Sequence, residues 1–517
     1  MRREFADQLT VIMQASGNGH SVCVKTAKTL LEQLREVSGA EHGVDEECAS
    51  VAFTASSAVS NYADYRADKA AARLAVTIAD WGRALDIPVQ LRRNLEYDAA
   101  TARTVVHQIA RSETQKDAFL SARMKDRELL RDARLLFTVV GYDGHVAGEL
   151  RGRALCNLAN TLDDSGRWVE AYQAYRDALD ADPTNGNAAG NAAELIRRRI
   201  SSGRGALGHY AVVHDELADL AVANRVRTVE IAGEATAKRW DDAPRFGGEG
   251  HHEHAGDIAD PYQQWIKQHR FALTFAMEGL GTDSTQWDSA GIHALSTVED
   301  GMPAIFTSVN VLKAEYLVSR RLAFSGEERV VATPFGQPAD DPGLYIDTLD
   351  MSVYGEASSS LVLAQRSTLD LLDKVAVAVN EHFRIGDDPN AVTFRSFWAK
   401  GNPPMLRDGL PQDPATWTPA VLSLAELALD AQDGGAYAAA QVLRHAGTHR
   451  LVNLSWDAPD QEATDAHVRI GAFELVGATH ASLAVARAAF LYLLDLIADH
   501  EDQAPNGGVP MPAPTQH

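Results

Sequence analysis

The amino-acid sequence predicts an all-α protein. Alanine and leucine are abundant, strand-like alternation of apolar and polar residues is rare, and amphipathic helical stretches recur along the 517 residues. Hydrophobic residues make up 45% of the chain, enough to build sizeable cores, and the length implies two to four domains.

Residues 1–150 are rich in amphipathic helix, for example from Ala70 to Leu85, and are expected to form irregular helical repeats. Residues 151–240 form a more regular region. In the unit 151–184, Leu155, Leu158, Ala159 and Leu162 supply the apolar positions of a first helix. Gly166 marks the turn, and Ala171, Tyr175, Ala178 and Pro183 suit a second helix and its exit. This pattern resembles one repeat of the tetratricopeptide (TPR) type, although Leu155 and Ala159 stand where such repeats usually carry Trp and Gly. A single repeat cannot bury its own face, and residues 186–200 read as the start of a further helix pair. Glycine, proline and polar residues over 241–260 break the pattern and read as a linker. That linker holds His251, His252, Glu253 and His254; lacking a second ligand set at recognisable spacing, the run is taken as a solvated loop.

A second helical unit is expected over 261–502, followed by a Pro/Gly-rich, disordered tail over 503–517. Within it, Arg329 to Thr333 reads as the main non-helical apolar run, ended by Pro334. From Ser360 to His382 a helix is predicted, with Leu369, Leu372, Ala376, Val379 and Phe383 as its core stripe. Arg366, Asp373 and Asn380 are spaced seven apart along one edge. Such an edge is a solvated boundary, an internal ion pair, or support for a catalytic base. A helix from Tyr437 to Leu454 would place Ala440, Leu443, Gly447, Leu451 and Leu454 on its core face. The last helix, Phe473 to Ala498, carries His480 and Arg487 in an apolar stripe, where both need hydrogen-bond partners and are read as structural.

The chemistry concentrates on the helix from Tyr437. Arg444 and His449 are spaced Arg-x4-His, and His445 directly follows the arginine. His445 and His449 share one face, away from the apolar stripe, with Arg444 on the flank and able to swing towards them. Two imidazoles and a guanidinium are what metal-free phosphodiester cleavage requires: a base, an acid and a cation for the phosphorane charge. His-x3-His is also metal-ligand spacing, but no Glu lies between the two and a third ligand must come from elsewhere, so no metal or cofactor is expected.

The net charge of −23 opposes a long non-specific nucleic-acid groove. Basic residues cluster locally, at Arg197 to Arg199 with Arg204, at Arg320 and Arg321, and at Arg444 with Arg450. Cys23, Cys48 and Cys156 are too few and too scattered for a disulfide framework and are expected to be reduced, partly buried thiols. No stretch reads as a transmembrane span and no apolar signal core follows the N-terminus. A cytoplasmic protein without membrane contact is expected.

Arg444-x4-His449 followed by Arg450, on the penultimate long helix of an all-α unit and preceded by a TPR-like repeat, resembles the HEPN superfamily, in particular the prokaryotic subfamily coupled to such repeats. The phrases Tyr262 to Arg270, Tyr345 to Asp350 with Val353 to Gly355, and Leu371 to Ala376 with Asn380 add to the resemblance, which covers roughly residues 150–500. It implies a HEPN-type helical bundle that forms a homodimer and brings two Arg/His motifs together. It also implies a metal-independent endoribonuclease, often a toxin or phage-defence effector. Arg444 and His449 would be the catalytic pair, with His445 at the polar position after the arginine, and Asp373, Arg366, Asn380 and Arg450 in support. RNA is then the substrate, and the repeat half a sensor or a site for a protein or peptide partner. The alternatives are a non-catalytic TPR/HEPN scaffold and a nucleotide-binding protein, each dimeric.

Overall fold

Small side chains let helices approach closely, and the first half of the chain is built on that. The computed structural model describes residues 3–38, 44–114, 119–247, 259–276, 288–292, 294–297, 303–333, 340–412, 420–456, 466–503 and 509–512. Among the described residues, thirteen helices precede residue 248: α1 (Arg3–Gly17), α2 (Val22–Val37), α3 (Val44–Arg66), α4 (Lys69–Arg83), α5 (Val89–Ser112), α6 (Phe119–Lys125), α7 (Arg127–Gly141), α8 (Gly148–Asp163), α9 (Trp168–Ala181), α10 (Gly186–Ser201), α11 (Leu207–Ala223), α12 (Arg225–Ala232) and α13 (Glu234–Asp241). Local chemistry marks several starts. The Asp68 carboxylate accepts from the amides of Ala70 and Ala71 at the head of α4, and the Asn185 side chain accepts from Ala188 at the head of α10. Helices α8 and α9 form the helix–turn–helix expected over 151–184. Gly166 turns between them at φ +73°, and Leu155, Leu158, Ala159, Ala171, Tyr175 and Ala178 are buried. Successive helices α7 to α11 pack side by side.

The second half contains α14 (Pro261–His269), β1 (Ala294–Thr297), α15 (Ala304–Ala332), β2 (Ser352–Val353), α16 (Glu356–His382), α17 (Phe394–Phe397), β3 (Ala399–Lys400), β4 (Met405–Leu406), α18 (Ala420–Asp430), α19 (Ala438–His449), β5 (Leu451–Ser455), β6 (His467–Gly471), α20 (Ala472–Gln503) and β7 (Val509–Pro512). Helices α15, α16 and α20 pack against one another, with α18 and α19 laid on them. The α15–α16 crossing is close: a Cβ at Gly326 would stand 2.8 Å from the Ala357 carbonyl oxygen. Helix α20 is long and apolar enough to cross a membrane, but 83% of its most apolar window is buried inside the protein, which makes it the central helix of this half.

Three expectations change here. Arg329 to Ala332 is the last turn of α15, not a separate non-helical run; Val330 is buried while Val331 is exposed, as on one face of a helix. The helix from Tyr437 ends at His449, because Arg450 is extended (φ −130°, ψ 171°) and Leu451–Ser455 leaves as a strand. Strand β5 pairs antiparallel with β2 and parallel with β6. Leu454 and Ile470 from this small sheet pack with Val330, Ala357 and Leu361 into a satellite core. Leu451 was expected on the core face and is exposed; Leu454 is buried, but from a strand. A hairpin pairs β3 with β4, and β7 pairs with β1, so residues 509–512 of the tail are in a strand. His251 to His254 lie outside the described residues. Cys23, Cys48 and Cys156 are buried and free.

One apolar cluster runs from Phe5 to Ile497 through both halves. Where α18 meets α7 and the α8–α9 turn, charge is buried as well. Asp430 receives Arg134 through Nε and Nη2, both at 2.7 Å, and also receives Nη1 of Arg167. Arg167 continues to Glu170, which accepts the hydroxyls of Tyr437 (2.6 Å) and Tyr492 (3.1 Å). Burial alone would raise the Asp430 pKa; Arg134 and Arg167 outweigh it and hold the carboxylate below its ordinary range. Farther along, Trp168 Nε1 and Arg199 both donate to Asp495 of α20.

Removing one member of a buried ion pair leaves the others unpaired, at a cost of about 3–5 kcal/mol. Asp430→Ala is therefore expected to lower unfolding free energy by about that amount, read from the urea midpoint. A second expectation concerns pH. Burial raises the Asp98 pKa from 3.8 to about 6, against hydrogen bonds from Ser57 and Ser56. The folded pKa exceeds the unfolded one, so this group's stabilisation is full in acid below 3.8 and is lost as pH rises through about 6. Asp98→Asn should remove that loss, so the variant's stability gains on wild type between pH 4 and 7.5 by on the order of 2 kcal/mol, measured by urea unfolding at both values.

Candidate functional site

Asp370 and Asp373 stand three residues apart on α16, which puts both carboxylates on one side of the helix. Helix α19 packs on that side. Arg444 Nε donates to Asp370 Oδ1 at 2.8 Å and Nη2 donates to Asp373 Oδ2 at 2.7 Å. Burial would lower the guanidinium pKa; Asp373 and Asp370 outweigh it and hold the group above its ordinary value, so Arg444 stays charged. The arginine is held on α16 rather than swung onto the histidines, because two carboxylates on the neighbouring helix attract it more than two imidazoles on its own. Its Nη1 engages neither carboxylate.

The other oxygen of Asp373 accepts the amide of Phe394 at 2.8 Å. One carboxylate thus anchors both the arginine and the loop entering α17, which carries Arg395 and Ser396. Arg395 in turn donates to Asp433 at 3.2 Å, and Gln432 donates to the Arg395 carbonyl at 2.6 Å. These segments enclose a cleft of 980 Å³ between α16, α19, the α17 entrance and the turn after α18. His445 and His449 are exposed on it, with ring centroids 4.8 Å apart and planes tilted by 51°. Four arginines (Arg366, Arg395, Arg444 and Arg450) face three aspartates (Asp370, Asp373 and Asp433) along its walls.

The cleft thus gathers Arg444, His445, His449, Arg366, Asp373 and Arg450. It does not include Asn380. That buried amide donates to the Asp387 carbonyl at 2.9 Å and accepts the Asp387 amide at 3.1 Å, closing the end of α16. Its seven-residue spacing from Asp373 is genuine, but seven residues span two turns, about 10 Å, which carries it beyond the cleft. His480 and Arg487 also lie elsewhere: His480 pairs with Glu327 at 2.6 Å, and Arg487 donates to the Ala272 carbonyl at 2.8 Å. Asp370, Arg395 and Asp433 were missed. Asp370 had a signal, its i,i+3 spacing to Asp373; Arg395 and Asp433 reach the cleft only through the fold.

The other basic clusters are largely neutralised, with Arg321 lying over the Tyr262 ring rather than on a carboxylate. Arg197 and Arg198 pair with Glu194 and Asp163, Arg199 with Asp495, Arg204 with Asp499 and Asp502, and Arg320 with Asp288.

Residues 296–500 match the family described as LA2681-like HEPN. This segment belongs to the HEPN superfamily. The HEPN match covers less than half of the chain and includes α15, α16, α18, α19 and nearly all of α20, so the whole cleft lies within it. Helix α14 lies ahead of it. No curated protein matches the chain.

Gly447, expected on the core face of its helix, lies within α19. A Cβ there would meet only Val362 Cγ1, at 3.4 Å, which is ordinary contact. Gly447→Ala is therefore expected to stabilise the HEPN segment by about 0.5–1 kcal/mol through helix propensity, seen as a raised thermal midpoint.

Proposed function

We propose that the protein is a metal-independent endoribonuclease of the HEPN type. The observation that carries this is the single cleft shared by a fixed guanidinium, Arg444, and two exposed, adjacent imidazoles, His445 and His449. Imidazole is the side chain whose ordinary titration lies nearest neutrality, so it serves as base and as acid. His449 takes the proton of a ribose 2′-OH. The freed oxygen attacks the adjacent phosphorus, and Arg444 steadies the pentacoordinate charge through the N–H groups its carboxylates leave available. The bond to the 5′-oxygen breaks, and His445, or His449 of a second protomer, protonates it. The products carry 2′,3′-cyclic phosphate and 5′-OH ends. Arg366, Arg395 and Arg450 draw the RNA backbone into a cleft on an otherwise acidic body.

A homodimer formed across this cleft suits exposed apolar side chains at and near it: Val442 of α19 on its lining, Leu363 of α16 and Leu451 of β5. The N-terminal helices, locked to α18 and α20 by buried charge, suit a regulatory half that responds to a protein or peptide, as in a cytoplasmic toxin or phage-defence effector. A second reading, a dimeric scaffold without catalysis, draws on the two carboxylates that already occupy Arg444.

Cleavage of single-stranded RNA in excess EDTA separates the two. The nuclease reading expects cyclic-phosphate ends, no cleavage of DNA of the same sequence, and a loss of about 10²–10⁴-fold in His449→Ala. It expects about 10²–10³-fold in Arg444→Ala. If wild-type dimer and His449→Ala are equally inert across tRNA, mRNA and rRNA, the scaffold reading stands; a strict need for added metal sinks the acid–base mechanism.

A further inference from the structure

A second constellation lies on α14, α15 and α20 and shares no residue with the cleft. His269, on the last turn of α14, Glu327 of α15 and His480 of α20 converge so that one ligand atom from each lies within 4.8 Å of the others. His480 Nε2 and Glu327 Oε2 are 2.6 Å apart, and the two imidazole centroids 4.3 Å. The three side chains come from helices far apart in sequence, and each is half-buried rather than splayed in solvent.

The surroundings are those of a built site. Trp265 Nε1 donates to Glu327 Oε2 at 2.9 Å, fixing the carboxylate from outside as an outer-shell donor does. Phe271 stacks on His269 with planes 18° apart, and Trp265 and Phe271 meet His480 edge-on at 5.5 Å. These rings hold the imidazoles in place and limit water. A neutral imidazole offers one ring nitrogen lone pair to a metal, and His269 and His480 present two such rings to the same point.

We propose that His269, Glu327 and His480 bind one divalent first-row transition ion of the zinc class, with water in the fourth position. Two imidazoles and one carboxylate are the donor set that zinc takes in many three-ligand protein sites. At bond lengths of about 2.0–2.1 Å, tetrahedral ligand atoms stand about 3.3 Å apart. From the present spacing the His480–Glu327 pair, at 2.6 Å, has to open, and separations within the group that now reach up to 4.8 Å have to close. The ion would clamp α14, which lies ahead of the HEPN match, onto two long helices inside it. It takes no part in RNA cleavage, so this proposal stands or falls separately from the nuclease.

The test titrates the chelator-stripped, full-length protein with Co²⁺, followed by visible ligand-field absorption, and then displaces Co²⁺ with Zn²⁺. One equivalent with a tetrahedral spectrum is expected. It should be abolished in His269→Ala and His480→Gln and weakened at least ~10-fold in Glu327→Gln. Trp265→Phe should weaken it by about 10-fold while leaving the spectrum tetrahedral. Zn²⁺ should raise the thermal midpoint of the wild type and not that of His480→Gln. The His445→Ala/His449→Ala and His251→Ala/His252→Ala/His254→Ala variants should keep the full equivalent. Circular dichroism of the stripped variants checks folding, and if His269→Ala does not fold, the near-isosteric Glu327→Gln decides. The proposal is overturned if Co²⁺ does not bind, if Glu327→Gln binds it as the wild type does, or if binding disappears with the histidines of either control variant.

Discussion

Asp430 sits at the end of α18, fully buried, between two arginines that belong to the other half of the chain. Placing a carboxylate there is favourable only when several donors meet it in good geometry, because the desolvation of each ion costs several kcal/mol. Arg134 supplies a two-bond fork, Arg167 a third bond, and Arg167 passes the charge on to Glu170 and two tyrosine hydroxyls. Glu426 lies within ion-pair reach of Arg123 and Arg134 one turn earlier on α18. Apolar packing alone tolerates many ways of laying one helical layer on another. A buried charge lattice tolerates few, since any shift leaves ions unpaired in a medium of low dielectric. The seating of the HEPN segment on the N-terminal helices depends on this lattice.

The same logic governs the cleft at a smaller scale. A chain of net charge −23 repels polyanions, yet one surface region gathers four arginines and two imidazoles. Most arginines elsewhere are cancelled by nearby carboxylates, whereas the cleft keeps a local excess of cations. Asp370 and Asp373 set the direction of the Arg444 guanidinium, and a fixed cation stabilises developing charge better than a mobile one because it needs no reorganisation. Because Asp373 also holds the Phe394 amide, the wall carrying Arg395 and the arginine on α19 are positioned by one side chain.

Several elements were legible in the sequence for simple reasons. The 3.6-residue periodicity of 360–382 marked α16 and its buried face, and the turn glycine and exit proline of 151–184 marked α8 and α9. Short strands were not legible. Leu451 to Ser455 continues a helical stripe as well as it forms a strand, and only pairing with β2 and β6 decides between them. Arg329 to Thr333 misled in the opposite direction: adjacent valines suggest extended chain, but Val330 has a pocket in the satellite core and the helix continues through it. Asn380 shared a spacing with Asp373 and not a neighbourhood, since periodicity reports a face and says nothing about how far along the axis a site extends.

By itself, the sequence determined the helical class, the turn at Gly166, and the placing of His445 and His449 on one exposed face of one helix. Those are local matters, set by side-chain size, backbone freedom and a repeat of 3.6 residues per turn. Only the tertiary structure decided that Arg444 is held by Asp370 and Asp373, that Arg395 and Asp433 complete the cleft, and that His269, Glu327 and His480 meet. Each of these joins segments tens to hundreds of residues apart. Which distant segments become neighbours is settled by the shared core and its buried charges, and no spacing along the chain encodes that.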